Sequence, residues 1–167
     1  QYNSKEWNIL PSSISIQDGT VSVDSFGAVS GEQSISLHGR ASKSHEDVIS
    51  VILERFDLSV INSLLPDDLG IRGAVSGLAS LTSPISQKEI LVDMVCDSSY
   101  IANVPIGVLK FGMNWNAPEK AFGFHLWNDL KGRKSIDISG NYIPDRQAVQ
   151  ASAALDRFDI GYAQPFM

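Results

Sequence analysis

The serine, histidine and cysteine side chains of this chain do not have the spacing of an active site. Ser76 lies in GAVSG (residues 73–77), whose order G-x-x-S-G differs from the G-x-S-x-G of a nucleophile elbow, and no strand-to-helix turn follows it. His38, His45 and His125 lack metal-ligand spacing. Cys96 is the single cysteine, and its apolar surroundings in ILVDMVCD predict a buried structural thiol. We therefore expect no catalytic residue, no metal and no cofactor.

The carboxylates fit a structural interpretation as well. Asp67 and Asp68 stand just before a predicted strand, where a solvated turn accounts for them, and Asp18, Asp24 and Asp47 belong to turns and strand ends. Carboxylates from distant strands can still meet in a folded protein, so a glycosidase pair stays open at this point. The overall pattern favours a binding protein over an enzyme.

The charge of the chain argues against nucleic acid as a partner. The net charge is −6, and the 13 Lys and Arg residues are scattered, whereas phosphate binding needs clustered cations. The one dense cluster, KGRK (residues 131–134), falls between two predicted strands and is interpreted as a hairpin turn. No stretch approaches the roughly 20 apolar residues that span a bilayer, and no signal peptide is recognisable. The chain begins at Gln1 and stops at YAQPFM, and we expect it to be an internal segment of a longer protein.

Alternation of apolar and polar residues predicts an all-β chain. In GIRGAVSGLASLT, odd positions hold the apolar residues Ile71, Val75, Ala79 and Leu81, and even positions hold the polar residues Arg72, Ser76, Ser80 and Thr82. This alternation is the period of a strand with one solvated face. Asp18-Gly19, between two such runs, predicts a two-residue hairpin. Similar runs continue through the chain and give about ten strands, mostly antiparallel.

Several predicted strands have ten or more residues, which is long against a mode of about five or six. Long strands with one apolar face suit a curved, trough-like sheet with an apolar concave face, although a compact sandwich fits the same pattern. An acyl chain needs such a surface, and each buried CH₂ contributes about 0.8 kcal/mol. The side chains predicted to line a hydrophobic groove, or equally to pack as plain core, are Ile71, Val75, Leu81, Ile90, Val92, Met94, Leu109, Phe111, Met113, Phe122, Phe124, Leu126, Ile136 and Ile138.

An internal repeat is predicted over most of the chain. ISLHG (residues 35–39) is echoed by IDISG (residues 136–140), and LERFDL (residues 53–58) aligns without a gap with LDRFDI (residues 155–160). The spacing from Phe56 to Phe158 is 102 residues. We interpret residues 1–167 as one β-rich segment of a longer array, with one unit at about 35–135 and an incomplete second unit at 136–167.

VINSLLP lies between the phrase LERFDL and the glycine-spaced strand GIRGAVSG, and it predicts one short helix at the repeat boundary. Ile61, Leu64 and Leu65 follow i, i+3, i+4 spacing and give it one apolar face. We expect this face to pack on the apolar face of the sheet and partly plug the groove.

The phrases FDLSVINSLLPDDLGIRGAVSGLASL, VPIGVLKFGMNWN and IDISGNY with DRFDI resemble the translocation and assembly module (TamB-like) family of the AsmA-like superfamily. In that family a Phe-x-Leu phrase, a short helical stretch, a Leu-Pro and a Gly-rich strand recur along the chain. The residues that fit the phrase are Phe56, Leu58, Leu65, Pro66, Gly73 and Gly77.

The resemblance implies a periplasmic envelope protein of a Gram-negative-type bacterium. Its full-length chain would be anchored in the inner membrane and extend towards an outer-membrane barrel partner. It would carry phospholipid, or assist nascent outer-membrane protein, during outer-membrane biogenesis. The segment lacks the membrane anchor, and no part of it is identified as the end that meets the barrel. A strand of unfolded cargo could also be held at a sheet edge.

The alternative from a different class is a structural or adhesive surface β-array, or a carbohydrate-binding module. It would favour aromatic side chains on an exposed face, with Trp7, Trp115 and Trp127 as candidates. The parity of Trp115 with Phe111 and Met113 predicts that Trp115 points inward.

Overall fold

The computed structural model describes residues 6–64, 70–82, 89–102 and 104–156 of the chain, apart from the side chains of Ile61, Ser63 and Leu64. All strands in these ranges belong to one open sheet, and the two helical segments are 3₁₀ helices, Leu58–Leu64 and Pro144–Arg146. The strands are β1 (Asn8–Ile9), β2 (Ser13–Gln17), β3 (Thr20–Ser30), β4 (Gln33–Ala41), β5 (Val48–Asp57), β6 (Arg72–Thr82), β7 (Glu89–Ile101), β8 (Val104–Asn116), β9 (Ala121–Asp129), β10 (Ile136–Ile143) and β11 (Ala148–Leu155).

The sheet is an antiparallel meander. Strands β3 to β11 lie in chain order, each paired with the next, while β1 and β2 both pair with β3 and together form one edge. The other edge of the described sheet is β11, where Val149 and Leu155 are more than half exposed. The prediction of an all-β, antiparallel chain with long strands is therefore confirmed, and β7 and β8 reach 13 residues each.

The hairpin predicted at Asp18-Gly19 is confirmed. Gln17 pairs with Thr20, and the two residues between them have φ of 51° and 74°. Positive φ at both central residues is the requirement of a type I′ turn, whose twist matches that of the strands it joins. KGRK also lies in the connection between β9 and β10, where Leu130 and Arg133 form an isolated bridge.

The register defines the two faces of the sheet, because directly paired side chains on neighbouring strands share a face. We call the front face the one that carries the row Val92, Met113 and Phe124, which pair in turn across β7, β8 and β9. The back face carries the adjacent row Asp93, Gly112 and His125. No second layer of strands or long helix covers either face within the described residues.

The expected helix is present as a 3₁₀ helix and begins earlier than predicted, at Leu58. Asn62 ties it to the start of β6, since its Nδ2 donates to Ile71 O at 2.8 Å and its Oδ1 accepts from Ile71 N at 2.9 Å. This side-chain amide occupies both backbone groups of Ile71 and so replaces a strand partner. The predicted packing of Ile61, Leu64 and Leu65 falls outside the described side chains.

The register also bears on the internal repeat, although the second unit extends beyond Asp156 and so outside the described residues. Ile35 pairs with Leu53 across β4 and β5, and Ile136, the aligned residue, pairs with the aligned Leu155 across β10 and β11. The two strand pairs therefore share one register at equivalent positions. The division into units at 35–135 and 136–167 stays a prediction.

Two glycines of the aligned strands make the same close approach. A Cβ at Gly39 would lie 2.1 Å from Val48 O, and a Cβ at Gly140 would lie 2.3 Å from Gln150 O. Gly39 also has φ of +125°, a conformation that side chains with a Cβ rarely adopt. A side chain at either position would meet the backbone of the neighbouring strand, and glycines within strands are one means of curving a sheet.

We predict that Gly39→Ala lowers the free energy of unfolding by about 2 kcal/mol, because the added methyl group meets a backbone oxygen and the backbone is strained. Urea denaturation followed by circular dichroism measures the change. Gly112→Ala is the matched control: the nearest atom to its added Cβ is 3.9 Å away, and its φ lies outside the strained region. Equal stability of the two variants would contradict the packing assigned to Gly39.

Candidate functional site

Thirteen of the fourteen predicted groove residues lie in four neighbouring rows of the front face. Leu81 pairs with Ile90, and Phe122 pairs with Trp115 and Tyr142. The other predicted residues follow by register, and Ile71 stands just before β6. With a slash between residues paired on neighbouring strands, the first row is Leu81/Ile90 together with Trp115/Phe122/Tyr142, and the second is Val92/Met113/Phe124. The third row is Met94/Phe111/Leu126/Ile138, and the fourth is Val75/Cys96/Leu109, which Ile136 continues at the start of β10.

A hollow of about 490 Å³ opens on the front face at the end of the sheet where β5 and β7 end and β6 and β8 begin. Six predicted residues line it, and the remaining eight lie in the front rows beside it. Its full lining is Leu53, Phe56, Leu58, Ile71, Val75, Met94, Cys96, Ser99, Tyr100, Ile101, Ile106, Leu109, Phe111 and Leu126. Apart from Ser99 and the Tyr100 hydroxyl, these side chains carry no hydrogen-bonding oxygen or nitrogen, so the hollow suits an apolar ligand.

Irregular pairing in two strand pairs builds the hollow. The register shifts between Leu53 and Phe56 on β5, and again between Cys96 and Ser99 on β7. Within each interval one residue has a left-handed φ, Arg55 at 50° and Ser98 at 52°. A bulge inserts an extra residue and bends the strand, so side chains three apart come to the same face. Both residues of each pair therefore line the hollow.

This geometry accounts for the lining residues that the sequence pattern missed. Strict alternation assigns residues three apart to opposite faces, so Phe56 was out of phase with Leu53. Ile106 was out of phase with Leu109 and lies at a further register shift, between Ser99 and Tyr100. Leu58 belongs to the repeated phrase LERFDL and to the family phrase, neither of which predicts a lining role for it, and Tyr100 and Ile101 belong to the β7–β8 hairpin. The left-handed residues Arg55 and Ser98 are ordinary in type, and no local signal in the sequence identifies them.

The floor of the hollow is closely packed. Ser99 is 2 % exposed, and its Oγ donates to Gly107 O at 2.6 Å, which satisfies the hydroxyl inside an apolar site. A Cβ at Gly73 would lie 2.3 Å from Cys96 Sγ, so glycine is required beneath the thiol. Cys96 is buried as predicted, and this burial, with the nearby Asp97 charge, raises the pKa of its thiol. The thiol is therefore held neutral and acts as part of the apolar floor.

Asn128, at the end of β9, is the largest fully buried polar side chain in the described part of the protein. Its Nδ2 donates to Ile106 O at 2.7 Å and to Ser135 Oγ at 2.9 Å. Its Oδ1 accepts from the backbone N–H groups of Ser135 at 2.9 Å and Ile136 at 2.7 Å. One amide thus joins the starts of β8 and β10 beside the hollow, where the regular β9–β10 ladder ends.

The edge of the hollow carries aromatic contacts. Trp7, which precedes β1, lies 6.2 Å from Phe56 between ring centroids, so the N-terminal segment reaches the front face at β5. The Arg72 guanidinium lies 5.2 Å from the centroid of the Tyr100 ring. These contacts place large side chains around the opening.

The tryptophans fall on different faces. The register places Trp115 on the front face, in the row of Phe122, and Trp127 on the back face, paired with Lys110 and Asp137. Of Trp115 and Trp127, Trp127 is therefore the one relevant to the alternative function, a sugar-binding surface.

Across the residues that the structure describes, no three His, Cys, Asp or Glu side chains come together as a metal ion would require. In the same ranges, no helix has the length and apolar character needed to cross a bilayer.

Comparison with known proteins gives no relative for this chain: no protein-family model, no curated protein and no solved structure matches it.

Proposed function

We propose that this chain is a section of a periplasmic conduit that holds the acyl chains of phospholipid on the front face of its sheet. The observation that carries the proposal is the apolar hollow of about 490 Å³, which adjoins the front rows of apolar side chains. Ligand sites typically measure about 300–1,000 Å³ and use few polar groups to fix orientation. The lining offers little hydrogen bonding, which favours a hydrocarbon over a polar ligand.

The energetic basis is the transfer of methylene groups out of water. Each buried CH₂ contributes about 0.8 kcal/mol, so ten methylenes give roughly 8 kcal/mol before the cost of ordering the chain and the protein. The front rows extend from the hollow across β6 to β10, and a long acyl chain could continue along them. Such binding needs no specific chemistry, which agrees with the absence of active-site spacing in the sequence.

A trough would result if the front face is concave. The glycines at positions 39 and 140 and the bulges on β5 and β7 are features that favour bending of a sheet, which supports this proposal. No covering layer of strands or long helices lies on the front face within the described residues. A lipid lying on the front face would supply part of that layer.

The sequence resemblance to the translocation and assembly module family supports the cellular setting that we propose. In that setting the full-length protein is anchored in the inner membrane, lies in the periplasm of a Gram-negative-type bacterium and supports outer-membrane biogenesis by binding without catalysis. Nascent outer-membrane protein is the other cargo consistent with an apolar groove and an open sheet edge. Contact with an outer-membrane barrel partner would come through other parts of the full-length chain.

Lipid extraction tests the proposal directly. The protein, purified from a bacterial host without detergent, is extracted with organic solvent and the extract is measured by mass spectrometry. We expect near-stoichiometric phospholipid that persists through gel filtration, because apolar burial of this size gives slow release. Protein that carries no lipid and takes up none from vesicles would contradict the proposal.

A further inference from the structure

The back face has its own depression, of about 670 Å³, over strands β7 to β10. Gly112 and Gly123 lie among its lining residues, and because they have no side chains the surface is low between neighbouring polar groups. Asp93 and His125 pair with Gly112 from either side, while Asn114 pairs with Gly123. The depression is thus an open site with both polar and apolar lining on the face opposite the hollow.

The His125 ring forms one wall of the depression. Trp127, two residues further along β9, stacks on it with ring centroids 4.4 Å apart and planes at 24°. Since Trp127 covers one side of the imidazole, the other side of the ring lies towards Gly123, two residues earlier on the same face. The wall is therefore an aromatic surface next to a glycine floor.

Hydrogen bonds fix the orientation of this ring. His125 Nε2 donates to Asp137 Oδ1 at 2.6 Å, and Lys134 Nζ donates to Asp137 Oδ2 at 2.6 Å. The Lys134 ammonium and His125 hold the pKa of the Asp137 carboxyl below its usual range. The carboxylate is thus ionised at neutral pH and keeps His125 in place.

Two amide groups flank the floor. A Cβ at Gly123 would lie 3.4 Å from Asn141 Oδ1 and 3.5 Å from Asn114 Oδ1, so both side chains approach the space above this glycine. Each amide offers donors and an acceptor, and Ser139 and Asp93 add a hydroxyl and a carboxylate at the same depression. Polar groups therefore surround a site that has one aromatic wall.

We propose that this depression binds one ring of a neutral oligosaccharide. A sugar ring has an apolar C–H face that packs on an aromatic surface and hydroxyl groups at its rim that pair with amides and carboxylates. The Asp93 carboxylate at the depression disfavours an anionic ligand. The site is separate from the front hollow, and the proposal does not depend on acyl-chain binding.

Titration of the whole chain with neutral trisaccharides tests the proposal. The probes are chitotriose, cellotriose and maltotriose, followed by isothermal calorimetry and Trp fluorescence, with adenosine as a flat-ring competitor. We expect at least one trisaccharide to bind with a Kd of about 1 mM or lower, as suits an open site. Adenosine binding without trisaccharide binding, or no binding of any trisaccharide, would overturn the proposal.

Variants locate the binding. Gly123→Val fills the floor with a residue that strands favour and is expected to weaken trisaccharide binding about tenfold or more. Ser50→Val, on the back face of β5 and outside the depression, is the matched control and should bind as the parent does. His125→Ala removes the aromatic wall and is also expected to weaken trisaccharide binding about tenfold or more. Unchanged affinity in Gly123→Val would show that the sugar binds elsewhere and refute the assignment.

Discussion

Phe111→Asp is expected to abolish phospholipid co-purification, reducing the lipid bound per chain about tenfold or more. Phe111 lines the hollow and pairs with Met94 and Leu126 in the third front row. A carboxylate there would lie against the acyl chain without a partner, and each 1.4 kcal/mol of that cost weakens binding about tenfold. Quantitative mass spectrometry of the extracted lipid measures the loss, with protein concentration as the reference.

Lys110→Asp is the matched control for this variant. Lys110 is the preceding residue on β8, it is exposed, and the register places it on the back face opposite Trp127. The same carboxylate, one residue away, should leave lipid binding unchanged. Equal loss in both variants would mean that charge or stability, and not the front face, determines the lipid content.

A second variant separates the loss of the ligand from a loss of folding. Leu126→Trp keeps the hollow apolar and fills part of its volume, so we expect reduced lipid with the strand spectrum retained. Phe124→Asp, in the neighbouring front row, tests whether the acyl chain extends beyond the hollow. If lipid binding is unchanged in Leu126→Trp while Phe111→Asp is unfolded, the hollow is not the binding site.

Asn128→Leu is expected to lower the free energy of unfolding by about 3–5 kcal/mol. Asn128 is 1 % exposed, and its amide satisfies Ile106 O together with the backbone N–H of Ser135 and of Ile136. Each buried group left unpaired costs about 1–3 kcal/mol, which the added apolar surface of Leu offsets only in part. Urea denaturation followed by tryptophan fluorescence gives the difference.

Asn114→Leu serves as the control for Asn128→Leu. Asn114 is an exposed side chain on the back face of β8, so the same change should shift the free energy of unfolding by no more than about 0.5 kcal/mol. We also expect Asn128→Leu to disorder the hollow and reduce bound lipid, since the amide holds the starts of β8 and β10 together. A stability equal to that of Asn114→Leu would show that the network contributes little.

Much of the sheet could be predicted from alternation alone. A residue such as Ile136 or Ile138 has polar neighbours on both sides, and period two then fixes which face it shares with its cross-strand partners. The Asp18-Gly19 turn could also be predicted from the sequence, because few residue types accept two successive positive φ angles. The strands and one hairpin therefore follow from local rules.

The hollow could not be predicted completely, because its shape depends on pairing between strands. The bulges at Arg55 and Ser98 reverse the phase of alternation, and both are residue types that occur throughout regular strands. Asn128 stands in an apolar run and looks like a strand end, while its role depends on Ile106, 22 residues earlier. The attachment of the 3₁₀ helix to the start of β6 was also not predictable, because it depends on hydrogen bonds from Asn62 to Ile71, nine residues later.

Photo-crosslinking at Phe111 tests the central claim, that the front hollow holds an acyl chain, most directly. The photoreactive analogue p-benzoylphenylalanine is placed at position 111 or, as the back-face control, at position 110, and the protein is irradiated in lipid-containing cells. The account predicts a protein–phospholipid adduct, identified by intact mass, from position 111 and none from position 110. Adducts of equal yield from both positions, or none from position 111 in folded protein, would contradict it.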